Sequence, residues 1–142
     1  MISPRRVLIL DDDEGNRVLL DVAIRTRGFS GDCAGTGKQA LALAGQKSYE
    51  IALLDVNLPD MSGLEVARKL REQDPNVVII IATIEDDDTT LKRAQAYDCD
   101  IYMVKPFDLD TLLNLLATLD AAEVRRRHEF TVVDNAALRR RR

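Results

Sequence analysis

Four places in the 142-residue chain carry groups that could do chemistry together. Asp11-Asp12-Asp13-Glu14 follows the apolar run Val7–Leu10, and Asp55 follows Ile51-Ala52-Leu53-Leu54. Thr83 and Glu85 follow Val77–Ala82, and Lys105 follows Ile101–Val104. Each set lies where a short apolar segment ends. If those segments are strands running the same way in one sheet, carboxylates, a hydroxyl and an ammonium meet at one edge. Like charges gathered so closely repel. A divalent cation removes that cost, and hard carboxylate and carbonyl oxygens select Mg²⁺, Mn²⁺ or Ca²⁺. An ion held by few protein ligands keeps positions open for phosphate oxygens. Lys105 would add a positive point charge and Thr83 a hydroxyl donor. Asp55 then becomes a carboxylate nucleophile beside a phosphate site, with catalysis by positioning and charge neutralisation. Singly, each residue has a plainer reading: acids after strands cap helices, and a Lys before Pro sits on the surface. Their joint placement at four strand ends favours the chemical reading. The lone His128 reads as a solvated helix residue without a role.

These groups can meet only if the fold delivers them to one edge. Val7–Leu10, Ile51–Leu54 and Val77–Ala82 are apolar throughout, and the last is β-branched almost throughout. Such runs form strands buried on both faces. Phe29–Ala34 reads as a weaker strand and Ile101–Val104 as a fifth. Helical patterns lie between them. Val18, Leu19, Val22 and Ala23 give residues 17–27 an apolar face, closed by Gly28. Thr36-Gly37-Lys38-Gln39 is a capping box before Ala40–Gln46. Ser62-Gly63-Leu64-Glu65 is another, before a helix with Val66, Ala67 and Leu70 on its apolar face. Residues 89–97 carry only Leu91 and Ala94 and are expected to sit lightly on the surface. Asp108 caps a last helix with Leu109, Leu112, Leu113 and Leu116 at i, i+3, i+4 and i+7. Five strands alternating with five helices predict a doubly wound α/β fold, a five-stranded parallel sheet with helices on both faces. Function in such folds lies where the C-terminal strand ends open into loops.

Composition agrees with one ordinary domain: 46% of residues are hydrophobic, 31% charged and 4% aromatic, with no Trp. No apolar run approaches a membrane span, and Arg5-Arg6 leads into too short an apolar stretch for a secretory signal. A soluble, cytoplasmic protein with no membrane partner is expected. Net charge is −4, unevenly spread. Residues 1–120 carry 21 acids against 13 Lys/Arg (−8), and residues 121–142 carry 3 acids against 7 Arg (+4). The acidic body argues against direct nucleic-acid binding. The basic end, Arg125–Arg127 and Arg139–Arg142, reads as a solvated helix end and frayed terminus, although it could touch an acidic partner. Cys33 and Cys99 lack metal or disulfide spacing and read as two reduced thiols.

The motifs resemble the receiver domain of two-component response regulators, the CheY-like superfamily, over roughly residues 6–119. The matching segments are Val7–Asp13, Leu53-Leu54-Asp55-Val56-Asn57-Leu58-Pro59-Asp60-Met61-Ser62-Gly63, Ala82-Thr83 and Tyr102-Met103-Val104-Lys105-Pro106-Phe107. The resemblance implies a flavodoxin-like sheet of order 2-1-3-4-5 over residues 1–120. Residues 121–142 then form a basic C-terminal helix extension or linker. Cys33 would end one edge strand and Cys99 precede the other, so the two would not meet.

The resemblance also implies roles. Asp55 is the phosphoacceptor, served by a sensor histidine kinase or a phosphotransfer protein. Mg²⁺, or Mn²⁺ in its place, is held by Asp12 directly, by Asp11 through water, by Asp55, and by the Asn57 backbone carbonyl. Thr83 and Lys105 bond the phosphoryl oxygens, and Lys105-Pro106 is a cis peptide. On phosphorylation Thr83 is drawn toward Asp55 and Tyr102 turns inward, reshaping the face of the fourth helix, fifth strand and fifth helix. That face could serve a homodimer, an output domain or a downstream protein. Asn57 and Glu85 flank the phosphoryl group and would tune self-dephosphorylation.

Three departures from the family pattern stand out. Ile84 replaces a small residue and would narrow access. Asp98-Cys99 replaces Gly-Ala and would stiffen its loop. Glu85-Asp86-Asp87-Asp88 is unusually acidic and reads as helix caps. Two alternatives accompany this reading. One is a phosphorylation-independent pseudo-receiver that serves as a binding module. The other is a Mg²⁺-dependent aspartate-nucleophile phosphatase using Asp11-x-Asp13.

Overall fold

The structure is a computed structural model describing residues 5–134 and 138–141. The sequence alternates strand and helix: β1 (Arg6–Leu10), α1 (Glu14–Thr26), β2 (Ser30–Ala34), α2 (Gly37–Gln46), β3 (Ile51–Asp55) and α3 (Gly63–Gln73). It continues with β4 (Val78–Thr83), α4 (Asp88–Ala96), β5 (Ile101–Val104), α5 (Leu109–Thr118), α6 (Ala121–Arg127), β6 (Phe130–Val133) and β7 (Leu138–Arg141). The expected flavodoxin-like parallel sheet is present, with β1 between β2 and β3, then β4 and β5.

The strands are apolar on both faces because each face meets helices. Leu8, Leu10, Ala52, Leu54, Ile79 and Ile81 pack in a core with residues of α2, α3 and α4. Val7, Ile9, Leu53, Val78, Ile80 and Met103 pack in a second core with α1 and α5. Alternation of side chains along each strand divides them between these two layers.

The sheet does not stop at five strands. β6 pairs with β5 in parallel, Tyr102 opposite Val132, giving six parallel strands in the order β2-β1-β3-β4-β5-β6, and β7 adds antiparallel to β6. Residues 121–133 are therefore not a solvated extension. α6 is the connection that returns the chain to the sheet, and β5 is not an edge strand. Phe130-Thr131-Val132-Val133 is a β-branched and aromatic run with strand character, but it is short and closely follows three arginines.

Arg125, assigned by sequence to a solvated helix end, is 7% exposed. Its Nη1 donates to Asp100 Oδ1 at 2.6 Å, its Nη2 to Asp98 Oδ2 at 2.8 Å, and its Nε to Pro75 O at 2.8 Å. Asp98 takes a left-handed backbone, φ 60°. A carboxylate there meets Arg125 and also Arg71, which stands 3.6 Å away. This pairing accounts for an acid in a conformation that favours glycine.

Several local readings also change. On α1 the inward residues are Leu20, Ala23 and Ile24, spaced i, i+3, i+4, while Val18, Leu19 and Val22 are 58%, 54% and 58% exposed. Thr36 Oγ1 accepts from Gln39 N, yet Gln39 Oε1 accepts from Gly35 N, so the box closes one residue early. Ser62 Oγ accepts from Leu64 N, but Glu65 pairs with Arg68 instead of reaching back. Asp108 occupies the N-cap of α5 without a side-chain cap bond. Cys33 is exposed and Cys99 buried, both as free thiols.

Candidate functional site

The strand ends bring the predicted groups together. Asp11 follows β1, Asp55 ends β3, Thr83 ends β4 and Lys105 follows β5. Asp11, Asp12 and Asp55 each offer a carboxylate oxygen, and these oxygens lie within 4.8 Å of one another. Lys105 Nζ is 3.1 Å from Asp55 Oδ2 and 3.8 Å from Asp11 Oδ2. The Lys105-Pro106 bond is cis.

Local hydrogen bonds fix Asp11, Asp13 and Asp55. Asp11 is 5% exposed, and its Oδ1 accepts from Asp13 N at 2.9 Å. Asp13 in turn caps α1, accepting from Gly15 N at 2.8 Å. Arg17 Nη1 donates to the Asp11 carbonyl at 2.8 Å. Asp55 Oδ1 accepts from Asn57 N at 3.1 Å, which leaves Oδ2 to Lys105. Asp12 stands exposed at the mouth of the cluster. Three hard oxygens this close, with one ammonium beside them, fit a small divalent cation such as Mg²⁺.

The loop from Val56 to Ser62 shapes the rest of the site. Asn57 and Ser62 form an isolated antiparallel bridge, and Gly63 N donates to Val56 O at 2.8 Å. A Cβ on Gly63 would stand 1.8 Å from the Asp55 carbonyl oxygen, so only glycine fits there.

Sequence reasoning assigned no role to Asp60. Its carboxylate accepts from Gly37 N at 2.9 Å and Lys38 N at 3.0 Å, capping α2 from across the loop. These two backbone donors hold the Asp60 carboxyl below its ordinary value. The partners lie 23 and 22 residues upstream, so no local sequence signal could have shown the contact.

On the other flank Thr83 is fully buried, and its Oγ1 accepts from Glu85 N at 3.1 Å. The Glu85 side chain is turned to α4, its Oε2 3.1 Å from Thr90 Oγ1. Asp87 caps α4 through Thr90 N at 2.8 Å, in keeping with the cap reading of the acidic run. Ile84 is 71% exposed and points into solvent. Tyr102 is fully buried, and its hydroxyl donates to the Glu85 carbonyl. Burial, then the charges of Asp87, Asp86 and Glu85, raises its phenol above the ordinary value. The ring thus lies inward, beneath the turn between β4 and α4.

Among the described residues no helix is long and apolar enough to cross a membrane. Comparison with known proteins gives one answer. Residues 7–117 match the family model described as the response regulator receiver domain. The chain is 34% identical over 136 residues to the "Probable transcriptional regulatory protein TcrX" of Mycobacterium tuberculosis, covering 95% of this chain and 56% of that protein. It is 33% identical over 108 residues to the "Cell cycle transcriptional regulator CtrA" of Caulobacter vibrioides, covering 76% of this chain and 47% of that protein. This chain therefore spans about half the length of these two relatives. Among solved structures it resembles a CheY-like receiver domain protein of Methanospirillum hungatei (TM-score 0.82, 26% identity, 88% of this chain and 99% of that one). It also resembles Vibrio cholerae CheY4 (TM-score 0.75, 29% identity, 80% and 96%). Fold, strand-end residues and family model converge: the chain belongs to the response regulator receiver domain family.

Proposed function

We propose that Asp55 accepts a phosphoryl group from the phosphohistidine of a sensor histidine kinase or phosphotransfer protein, in a reaction that needs Mg²⁺ or Mn²⁺. The observation that carries this is the Asp11–Asp12–Asp55 cluster within 4.8 Å, with Lys105 Nζ 3.1 Å from the Asp55 carboxylate. Asp11, Asp12, Asp55 and the Asn57 backbone carbonyl would hold the ion. When bound, the ion offsets negative charge and offers coordination positions to phosphoryl oxygens. An Asp55 oxygen attacks phosphorus in line as the phosphorus–nitrogen bond to the donor imidazole breaks. Lys105 is placed to pair with the transferred oxygens, and Thr83 to donate its hydroxyl once drawn from the Glu85 amide. Val18, Leu19 and Val22 on α1 and Ile84 after β4 are exposed apolar side chains that a partner could contact. Asp11, the nucleophile of the phosphatase alternative, is buried and hydrogen-bonded to Asp13 N, which suits a metal-holding role better.

Intact mass before and after acetyl phosphate with Mg²⁺ tests the reading. Wild type gains one phosphoryl mass and Asp55→Asn gains none. Lys105→Ala slows the gain by about 10²-fold, the loss seen when one preorganised charge partner is removed. A wild type that gains no mass, or an Asp55→Asn variant that does, refutes it. If the Asn57 and Glu85 side chains reach the adduct's attacking water, as the resemblance implies, decay after donor removal slows in Asn57→Leu/Glu85→Leu.

A further inference from the structure

The switching that the resemblance implies needs a β5 aromatic free to move between outward and inward positions, and Tyr102 is fully buried with its hydroxyl on the Glu85 carbonyl. The reason lies in the strand that sequence reasoning did not foresee. Val132 stands directly opposite Tyr102 in the β5–β6 ladder and is fully buried. Phe130 is 3% exposed, its ring centroid 6.4 Å from that of Tyr102 and tilted by 58°. All three side chains belong to one core cluster with Leu91 and Ala94 of α4. Were β5 an edge strand, the space beside Tyr102 would hold water. Here it holds two large apolar side chains.

β6 is itself firmly held, and the hold converges on Asp100, just before β5. The Asp100 carbonyl accepts from Thr131 N at 3.0 Å. Its carboxylate is 2% exposed and accepts from Ile79 N, Arg71 and Arg125 at 2.9, 2.9 and 2.6 Å. To swing outward, Tyr102 would have to displace Phe130 and Val132. Displacing them lifts β6 from β5 and pulls on buried charges that need their partners.

We propose that α6 and β6 form a built-in lock, with Phe130 and Val132 keeping Tyr102 inward whether or not Asp55 carries a phosphoryl group. The aromatic position is then uncoupled from Asp55, and the face of α4, β5 and α5 keeps one shape. This rests on the phosphoacceptor reading of Asp55, since the lock has regulatory meaning only if that residue is modified.

Nitration with tetranitromethane, located by peptide mass in the full chain, tests the lock. Intact mass is recorded alongside, with and without acetyl phosphate and Mg²⁺. In wild type, Tyr102 is expected to react slowly and to change by less than about twofold on phosphorylation, as a side chain without local opening should. In Phe130→Ala/Val132→Ala it is expected to react about tenfold faster, and phosphorylation should slow it again. Tyr49, 6% exposed and hydrogen-bonded to Asp32 on the opposite flank of the sheet, reports global unfolding. If Tyr49 also accelerates in the double variant, Phe130→Leu, which keeps apolar bulk, takes its place, with about a threefold rise expected. Wild-type Tyr102 protected several-fold by phosphorylation overturns the lock, as does a folded variant that reacts like wild type. A wild type that gains no phosphoryl mass overturns the reading of Asp55. The comparison of unphosphorylated wild type and variant then still decides whether Phe130 and Val132 hold the ring.

Discussion

At Gly63 the candidate site meets a hard steric limit. Its α-hydrogen faces the Asp55 carbonyl, where a methyl carbon would stand at 1.8 Å from the oxygen. The obstacle is backbone, so no side-chain rotation relieves it. Gly63→Ala must therefore push the start of α3 away from the end of β3 and with it shift Asp55. The expected cost is about 1–3 kcal/mol of stability, the range for inserting a methyl into packed structure. Phosphorylation by acetyl phosphate should fall with it, because the Asp55–Lys105 geometry depends on the same backbone. Urea unfolding and intact mass measure the two effects separately. The meeting of the acids, Thr83 and Lys105 at one sheet edge was legible in sequence because each ends an apolar run that reads as a buried strand. Gly63 was visible as part of a cap and of a family segment, but what makes it obligatory is a contact with another element.

Among the elements, α6 and β6 depend on a buried charge cluster. Burial raises the Asp100 carboxyl above its ordinary value despite its donors. Arg125 also loses hydration, but its bonds to Asp98 and Asp100 more than offset this and raise its pKa. Arg125→Ala strands part of the Asp100 charge and is expected to cost about 3 kcal/mol near neutral pH, the low end for a broken buried pair because Arg71 remains. Without Arg125 the native Asp100 binds a proton more readily still, while the unfolded carboxyl is unchanged. The variant's deficit should therefore shrink as pH falls and Asp100 protonates. Denaturation curves of both proteins at several pH values measure this.

The central strands were readable because they are apolar on both faces. The facing of α1 was not: Val18-Leu19-Val22-Ala23 and Leu20-Ala23-Ile24 both satisfy a 3.6-residue period, and only packing against β1 and β2 chooses between them. β6 escaped notice because its pairing with β5 is non-local and its charged neighbours masked a four-residue run.

For the molecule as a whole, β6 and β7 change what the sheet presents to the outside. A sheet ending at β5 would expose unpaired amides and carbonyls next to Tyr102, an arrangement prone to association with another chain. Here β6 covers that edge from within the same chain. A chain cut after Leu119 would uncover it, together with the apolar surface that Phe130 and Val132 now bury. We expect the shortened protein to lose several kcal/mol, on the order of 1.5–3 per large apolar side chain re-exposed. It should also self-associate at concentrations where the full chain does not, as read by light scattering and thermal unfolding.

The bridge from Asp60 to the head of α2 bears on how the acids would receive an ion. Two amides at Gly37 and Lys38 would be stranded if the turn after β3 opened. Opening is thus penalised at a point remote from the clustered acids, and the turn is held in one form. Were the acids to hold a divalent ion, little ordering entropy would remain to be lost on binding, and affinity would rest on oxygen contacts instead of on refolding of the turn.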